Sequence, residues 1–153
     1  SPDFGGPFEV IHGTELVARL VAEGRLKLTE SVAKSISFHD ACYLGRHNRI
    51  FAPPREVLGK VPGVRLAEMP RHAERSFCCG AGGGRMWMEE SVGKRVNVER
   101  SEELLATGAD QIAVACPFCM TMITDGVTGA GKDVPVLDIA EVVAGQLKAE
   151  VTA

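Results

Sequence analysis

Five cysteines hold most of the chemistry available to this chain. Cys42 stands alone, Cys78 and Cys79 follow side by side after 35 intervening residues, and after 36 more comes Cys116-Pro117-Phe118-Cys119. Thiolates are the usual ligands of iron–sulfur clusters and of closed zinc sites. A C-x-x-C pair at a strand-to-helix turn lets two sulfurs face one centre. Pro117 suits the first helical position, where its missing N–H costs nothing. Cys119 then falls in the first turn, where free N–H groups and the helix dipole favour a negative sulfur. Neighbours such as Cys78 and Cys79 can bind adjacent metal ions of one polynuclear centre, and five sulfurs exceed the four that a tetrahedral zinc takes.

The adjacent pair opens the stretch "CCGAGGGRMW", which runs from Cys78 to Trp87. Gly80, Gly82, Gly83 and Gly84 can take positive φ and bring backbone N–H groups close to an anion. A cluster with its thiolates is such an anion, and N–H···S bonds help set its potential. A phosphate cradle is the competing use, but "GAGGGR" is not G-x-G-x-x-G and lacks the G-K-[ST] of a P-loop. "CPFC" alone resembles the redox motif of glutaredoxins, which also follows a strand and opens a helix. A dithiol oxidoreductase leaves Cys42, Cys78 and Cys79 without a role, as does simple packing of free thiols.

The elements that must gather these residues follow from periodicity. Thr14 is the expected N-cap of a helix striped by Leu16, Val17, Leu20 and Val21 up to Gly24. Segments 35–43, 63–69, 111–117 and 134–138 read as strands, with 111–117 apolar throughout and so central. Helices are expected over 53–61, entered through prolines, and from Met88 through Val92, Val96, Leu104 and Leu105, weakened at Gly93 and stopped by Gly108. Asp138 should cap a last helix carrying Ile139, Val142, Val143 and Leu147. Strands alternating with helices predict an α/β fold, a small mainly parallel sheet with flanking helices. In such sheets functional loops gather at the carboxyl edge of the strands, where all five cysteines would converge.

Bulk properties narrow the classes. The 153 residues suit one domain, and the 45% hydrophobic and 24% charged fractions are ordinary for a globular protein. No apolar run reaches membrane-spanning length. The net charge of −3 speaks against nucleic acid as a partner. The charge is uneven: residues 38–100 carry 11 Lys/Arg against 7 Asp/Glu, whereas 101–153 carry 2 against 8. An odd cysteine count speaks against a disulfide framework. Residues 1–12, rich in Gly and Pro, read as a linker or fragment edge, with one domain over 13–153.

Beside the cysteines, His39 and His47 flank Cys42. His39 reads first as a hydrogen-bonded structural histidine, and either ring can donate to a cluster sulfur or carry protons. Arg46, Arg49 and Arg85 can offset the negative charge of a thiolate centre or form a docking face for an acidic partner. Trp87, the only tryptophan, is expected in the core, and His12 and His72 carry no signal.

The strings "HDACYLGRHN", "FCCGAGGGRMW" and "ACPFC" together resemble the cysteine-rich CCG domain family, over about residues 36 to 125. That family includes the catalytic subunit of heterodisulfide reductase and the iron–sulfur subunit of glycolate oxidase. The longer strings "PREVL" and "CCGAGGGRMWMEE" look most like the C-terminal domain of large bacterial iron–sulfur reductases that resemble electron-transfer-flavoprotein:menaquinone oxidoreductases. The resemblance implies a [4Fe-4S] cluster, noncubane in type, held by Cys42, Cys78, Cys79, Cys116 and Cys119, with zinc as the alternative occupant. It also implies an electron-transfer domain of a larger oxidoreductase. The partners would be the other domains and a flavoprotein donor. The setting would be cytoplasmic, or the cytoplasmic side of a membrane reached through regions outside this chain.

Overall fold

The computed structural model describes residues 9–147. Its centre is a four-stranded, wholly parallel sheet in the order β2-β1-β3-β4, formed by β1 (Lys34–Phe38), β2 (Val64–Leu66), β3 (Gln111–Val114) and β4 (Val136–Asp138). Ile36 faces Leu66 on one side and Gln111 on the other, Phe38 faces Ala113, and Ala113 faces Leu137. Ser35–Phe38 and the whole of β3 are buried. Although Ser35 and Ser37 alternate with Ile36 and Phe38, the serines do not face solvent, because this strand lies inside the sheet with both faces covered. Ser37 is fully buried with no hydrogen-bond partner for its hydroxyl.

Among the described residues five α-helices cover the sheet: α1 (Gly13–Ala22), α2 (Ala52–Lys60), α3 (Val96–Leu105), α4 (Pro117–Gly129) and α5 (Ile139–Ala144). The chain steps from β1 to β2 in one direction and then crosses back to β3 and β4 in the other. Right-handed crossovers then place α2 on one face and α3 and α4 on the opposite one. Accordingly α1, α2 and α5 pack together, while α3 packs on α4. A Cβ on Gly126 of α4 would stand 2.9 Å from the Asn97 carbonyl oxygen of α3, so these two helices need glycine to approach so closely.

Three local expectations are corrected. The N-cap of α1 is His12, whose Nδ1 accepts from the Thr14 N–H at 3.2 Å while Glu15 closes a capping box; Thr14 is a buried residue inside the helix. Residues 88–95 are not helical: Gly93 has φ +71°, and α3 begins only at Val96. Met88 and Val92 are exposed, so their spacing of four reflects no buried stripe. Trp87 is 83% exposed, outside the core. The remaining elements lie near where the periodicity put them, including the proline entry of α2 and the Asp138 cap of α5, but β1 and β3 stop at Phe38 and Val114, short of their expected ends, and α5 ends at Ala144 without reaching Leu147.

Candidate metal centre

The strand order reverses between β1 and β3, which creates a crevice beyond their carboxyl ends, the place where open parallel sheets bind ligands. Cys42 follows β1, Cys116 follows β3 as the N-cap of α4, and Cys78 and Cys79 arrive in the loop beyond β2. The thiols meet there. Cys116 interacts with Cys119, Cys119 with Cys79, and Cys79 with Cys78, while the Cys42 sulfur stands near enough to Cys78 to influence its charge. Cys79 and Cys119 are buried; Cys42, Cys78 and Cys116 are partly open.

Shared protons divide the charge along this row. The Cys119 thiol and the N–H groups of Cys119 and Phe118 bring Cys116 down to about 6, against some opposition from burial. Cys79 is held far below the thiol range by the Cys119 and Cys78 thiols, with His39 and the Ala81 N–H adding to them. Cys78 and Cys119 are pushed up, chiefly because they supply those protons and also because they are buried. The helix start therefore favours the negative sulfur on Cys116 and not, as expected from position, on Cys119.

The glycine loop is only partly a cradle. Gly80 has φ +91°, donates its N–H to Cys78 Sγ at 3.2 Å, and is a tight place for a Cβ, which would stand 3.1 Å from Val96 Cβ. Gly83 and Gly84 also take positive φ, but Gly82 does not, and an added Cβ at any of the three would meet nothing within 4 Å.

Ionic pairs brace the site from behind. Asp40 accepts from Arg55 Nη1 at 2.8 Å and Nη2 at 3.0 Å and from the Ala73 N–H at 2.7 Å, and Arg55 Nε also reaches Glu68 at 2.6 Å. This ties the end of β1 to α2 and to the segment leading into Cys78. Although burial pushes Asp40 up, Arg55 and the Ala73 N–H hold its carboxyl below the usual range. On the other side, Arg71 lies over the Phe77 ring at 4.2 Å and pairs with Glu99 and Glu103 of α3. Arg100 of α3 is wholly buried and donates from Nε to His39 Nδ1 at 2.9 Å. His39, 1% exposed, places a ring nitrogen within 4.8 Å of the Cys79 and Cys119 sulfurs.

An open cleft of about 370 Å³ lies against Cys42, Cys78 and Cys79, walled by Arg46, His47 and Arg49. Arg46 donates to the Ser76 carbonyl at 2.7 Å, Arg49 stands 4.0 Å from Glu74, and the His47 ring lies 4.9 Å from that of Tyr43. Arg85 instead pairs with Glu90. His72 bonds the Met69 carbonyl, outside the sulfur group.

Sequence reasoning missed Asp40, Arg55, Arg71, Arg100 and Glu103. Glu99, Arg100 and Glu103 do share a helix face by spacing, but such a charged face is ordinarily solvated, and nothing local marks this one as buried.

The profile of the cysteine-rich domain family CCG matches residues 36–124. Over 145 residues the chain is 48% identical to the "probable iron-sulfur-binding oxidoreductase FadF" of Bacillus subtilis, covering 94% of this chain and 21% of that protein. It is 45% identical over 150 residues to the EtfAB:quinone oxidoreductase of Syntrophomonas wolfei, covering 92% and 21%. A third relative is one of the subunits that make up the dihydromethanophenazine:CoB–CoM heterodisulfide reductase of Methanosarcina barkeri. It is 41% identical over 141 residues, covering 92% and 34%. The chain thus spans between 21% and 34% of the length of these curated relatives. It belongs to the CCG cysteine-rich domain family.

Proposed function

We propose that this CCG domain is an iron–sulfur electron-transfer module of a larger oxidoreductase, with Cys42, Cys78, Cys79, Cys116 and Cys119 as the ligands of one cluster. One observation carries the reading. Five free thiols from the segments that follow β1, β2 and β3 gather at the switch point of the sheet, Cys42, Cys78 and Cys79 along one cleft and Cys79 within 4.8 Å of Cys119, which shares its C-x-x-C with Cys116. The names of the relatives, an iron-sulfur-binding oxidoreductase, a quinone oxidoreductase and part of a heterodisulfide reductase, support it.

The donor set fits. Two of the five sulfurs favour the thiolate before any metal arrives, and backbone N–H groups of Gly80, Ala81, Phe118 and Cys119 already point at sulfur. Gly82 and Gly83 extend that loop and can bring further N–H groups to a bound anion. A bound cluster supplies reversible uptake and release of single electrons. Five thiolates exceed the four of an ordinary cubane, which supports the noncubane [4Fe-4S] assignment. The partly open sulfurs and the arginine-walled cleft form the side on which electrons enter or leave. The partners we propose there are the other domains of the parent protein and a flavoprotein donor. Among the described residues no helix is long and apolar enough to cross a membrane. We further propose that the domain works in the cytoplasm or on the cytoplasmic side of a membrane, held there by other parts of its parent.

A zinc-binding structural module is the second reading: four of the five cysteines would fill a tetrahedral zinc site, and the buried Cys79 and Cys119 sulfurs already lie within 4.8 Å of each other. A potentiometric titration of the chain, reconstituted without oxygen and followed by electron paramagnetic resonance, separates the two. A reversible one-electron wave supports electron transfer. A redox-silent chain that retains zinc overturns it.

A further inference from the structure

We infer that Arg100 is a positioning residue that makes His39 an N–H···S donor to Cys79 and bars it from binding metal. Arginine has donors only, so the His39 Nδ1 that meets Arg100 Nε at 2.9 Å must offer its lone pair. A neutral imidazole then carries its single proton on Nε2, the nitrogen left free to serve the Cys79 and Cys119 sulfurs that lie within 4.8 Å of the ring's donor atom. Ligation through Nε2 requires the proton on Nδ1, which would set two N–H groups against each other at hydrogen-bond distance. Arg100 and His39 are 0% and 1% exposed, so water cannot relieve that conflict. Ligation through Nδ1 is blocked by Arg100 itself.

Arg100 is held in place from behind. Its Nη1 donates to the Arg71 carbonyl at 2.9 Å and to Glu103 at 2.8 Å, and Glu103 in turn accepts from the Arg71 N–H at 3.0 Å. Swinging the guanidinium away would break its contacts to His39, to the Arg71 carbonyl and to Glu103. Its Nη2, buried and without a partner, adds a desolvation cost that an apolar residue would avoid. A side chain chosen for stability alone would not be built this way; one that sets the direction of a hydrogen bond would. An N–H···S bond stabilises the more negative, reduced state of a cluster and so raises its potential. That last step rests on the electron-transfer reading, whereas the tautomer does not.

The test therefore has two parts. In the reduced, metal-free chain labelled with nitrogen-15, two-bond proton–nitrogen correlations should show His39 protonated on Nε2 and bare on Nδ1. A proton on Nδ1 overturns the inference whatever the cluster does. In the reconstituted chain, His39→Leu should shift the midpoint potential downward, lowering the reduced-to-oxidised ratio at fixed potential by roughly tenfold, about 59 mV for one electron. His39→Gln, which keeps an N–H donor, should recover most of the shift. Unchanged potentials in both variants, or loss of the metal in both, would count against the donor role. A wild-type chain that takes up no iron would defeat the proposed function, and the tautomer measurement would still decide this inference.

Discussion

The two halves of the sulfur row are built differently. On the inner half, Cys79 and Cys119 are buried against His39, and behind them Arg100, Glu103 and Arg71 form a connected ionic group drawn from α3 and the loop before Cys78. On the outer side, Cys42, Cys78 and Cys116 are partly open, and exposed Arg46, His47 and Arg49 wall the cleft at Cys42 and Cys78. The inner half fixes where the sulfurs are and how they are protonated. The outer half leaves a charged surface free to meet something else. A redox centre needs both, because its ligands must not move while its edge must stay within reach of a partner.

The largest expected contrast is in stability. Arg100→Ala empties a fully buried guanidinium site, leaves the buried His39 Nδ1 without its donor and takes one partner from Glu103, and should cost about 3–5 kcal/mol in urea unfolding. Arg46→Ala on the outer side should cost about 1 kcal/mol or less. Equal costs would erase the distinction between the halves. A smaller contrast lies within the glycine loop. Gly80→Ala forces a side chain into φ +91° and against Val96, and should cost about 2–3 kcal/mol together with part of the bound iron. Gly83→Ala, at φ +66° with open space around it, should cost about 1 kcal/mol and leave the metal content unchanged.

The smallest effect belongs to the far edge of the sheet. There Asp110 accepts from the Ser35 N–H at 2.7 Å and the Ser35 hydroxyl at 2.8 Å, which hold its carboxyl below the usual range. A depressed folded-state value contributes stability above the unfolded value, near pH 4, and loses it as the pH falls through the folded value. Asp110→Asn should therefore lower the melting temperature slightly at pH 7, and the gap to wild type should close on acidification. A gap independent of pH would contradict that origin.

The cysteines were legible in the sequence because their meaning lies in spacing. Three strand ends, an adjacent pair and a C-x-x-C at a helix start are enough to predict convergence at one sheet edge. The proline entry of α2 and the Asp138 cap were legible for the same local reason. What was not legible depends on who lies next to whom across the fold. Trp87 looks like a core residue until the 82–87 turn is seen on the surface. The Met88–Val92 spacing mimics a helix that Gly93 interrupts. Arg100 looks like one more charge on a helix, and only the packing of α3 against the loop before Cys78 turns it inward onto His39. His12 carried no signal because its capping role needs the backbone of the turn that follows.

The most direct test is a count of iron, acid-labile sulfide and zinc per chain, on protein purified and reconstituted without oxygen. A five-thiolate cluster site should hold about four irons and four sulfides and no zinc. One zinc per chain with no sulfide, under the same conditions, would contradict it and leave a structural domain in place of a redox one.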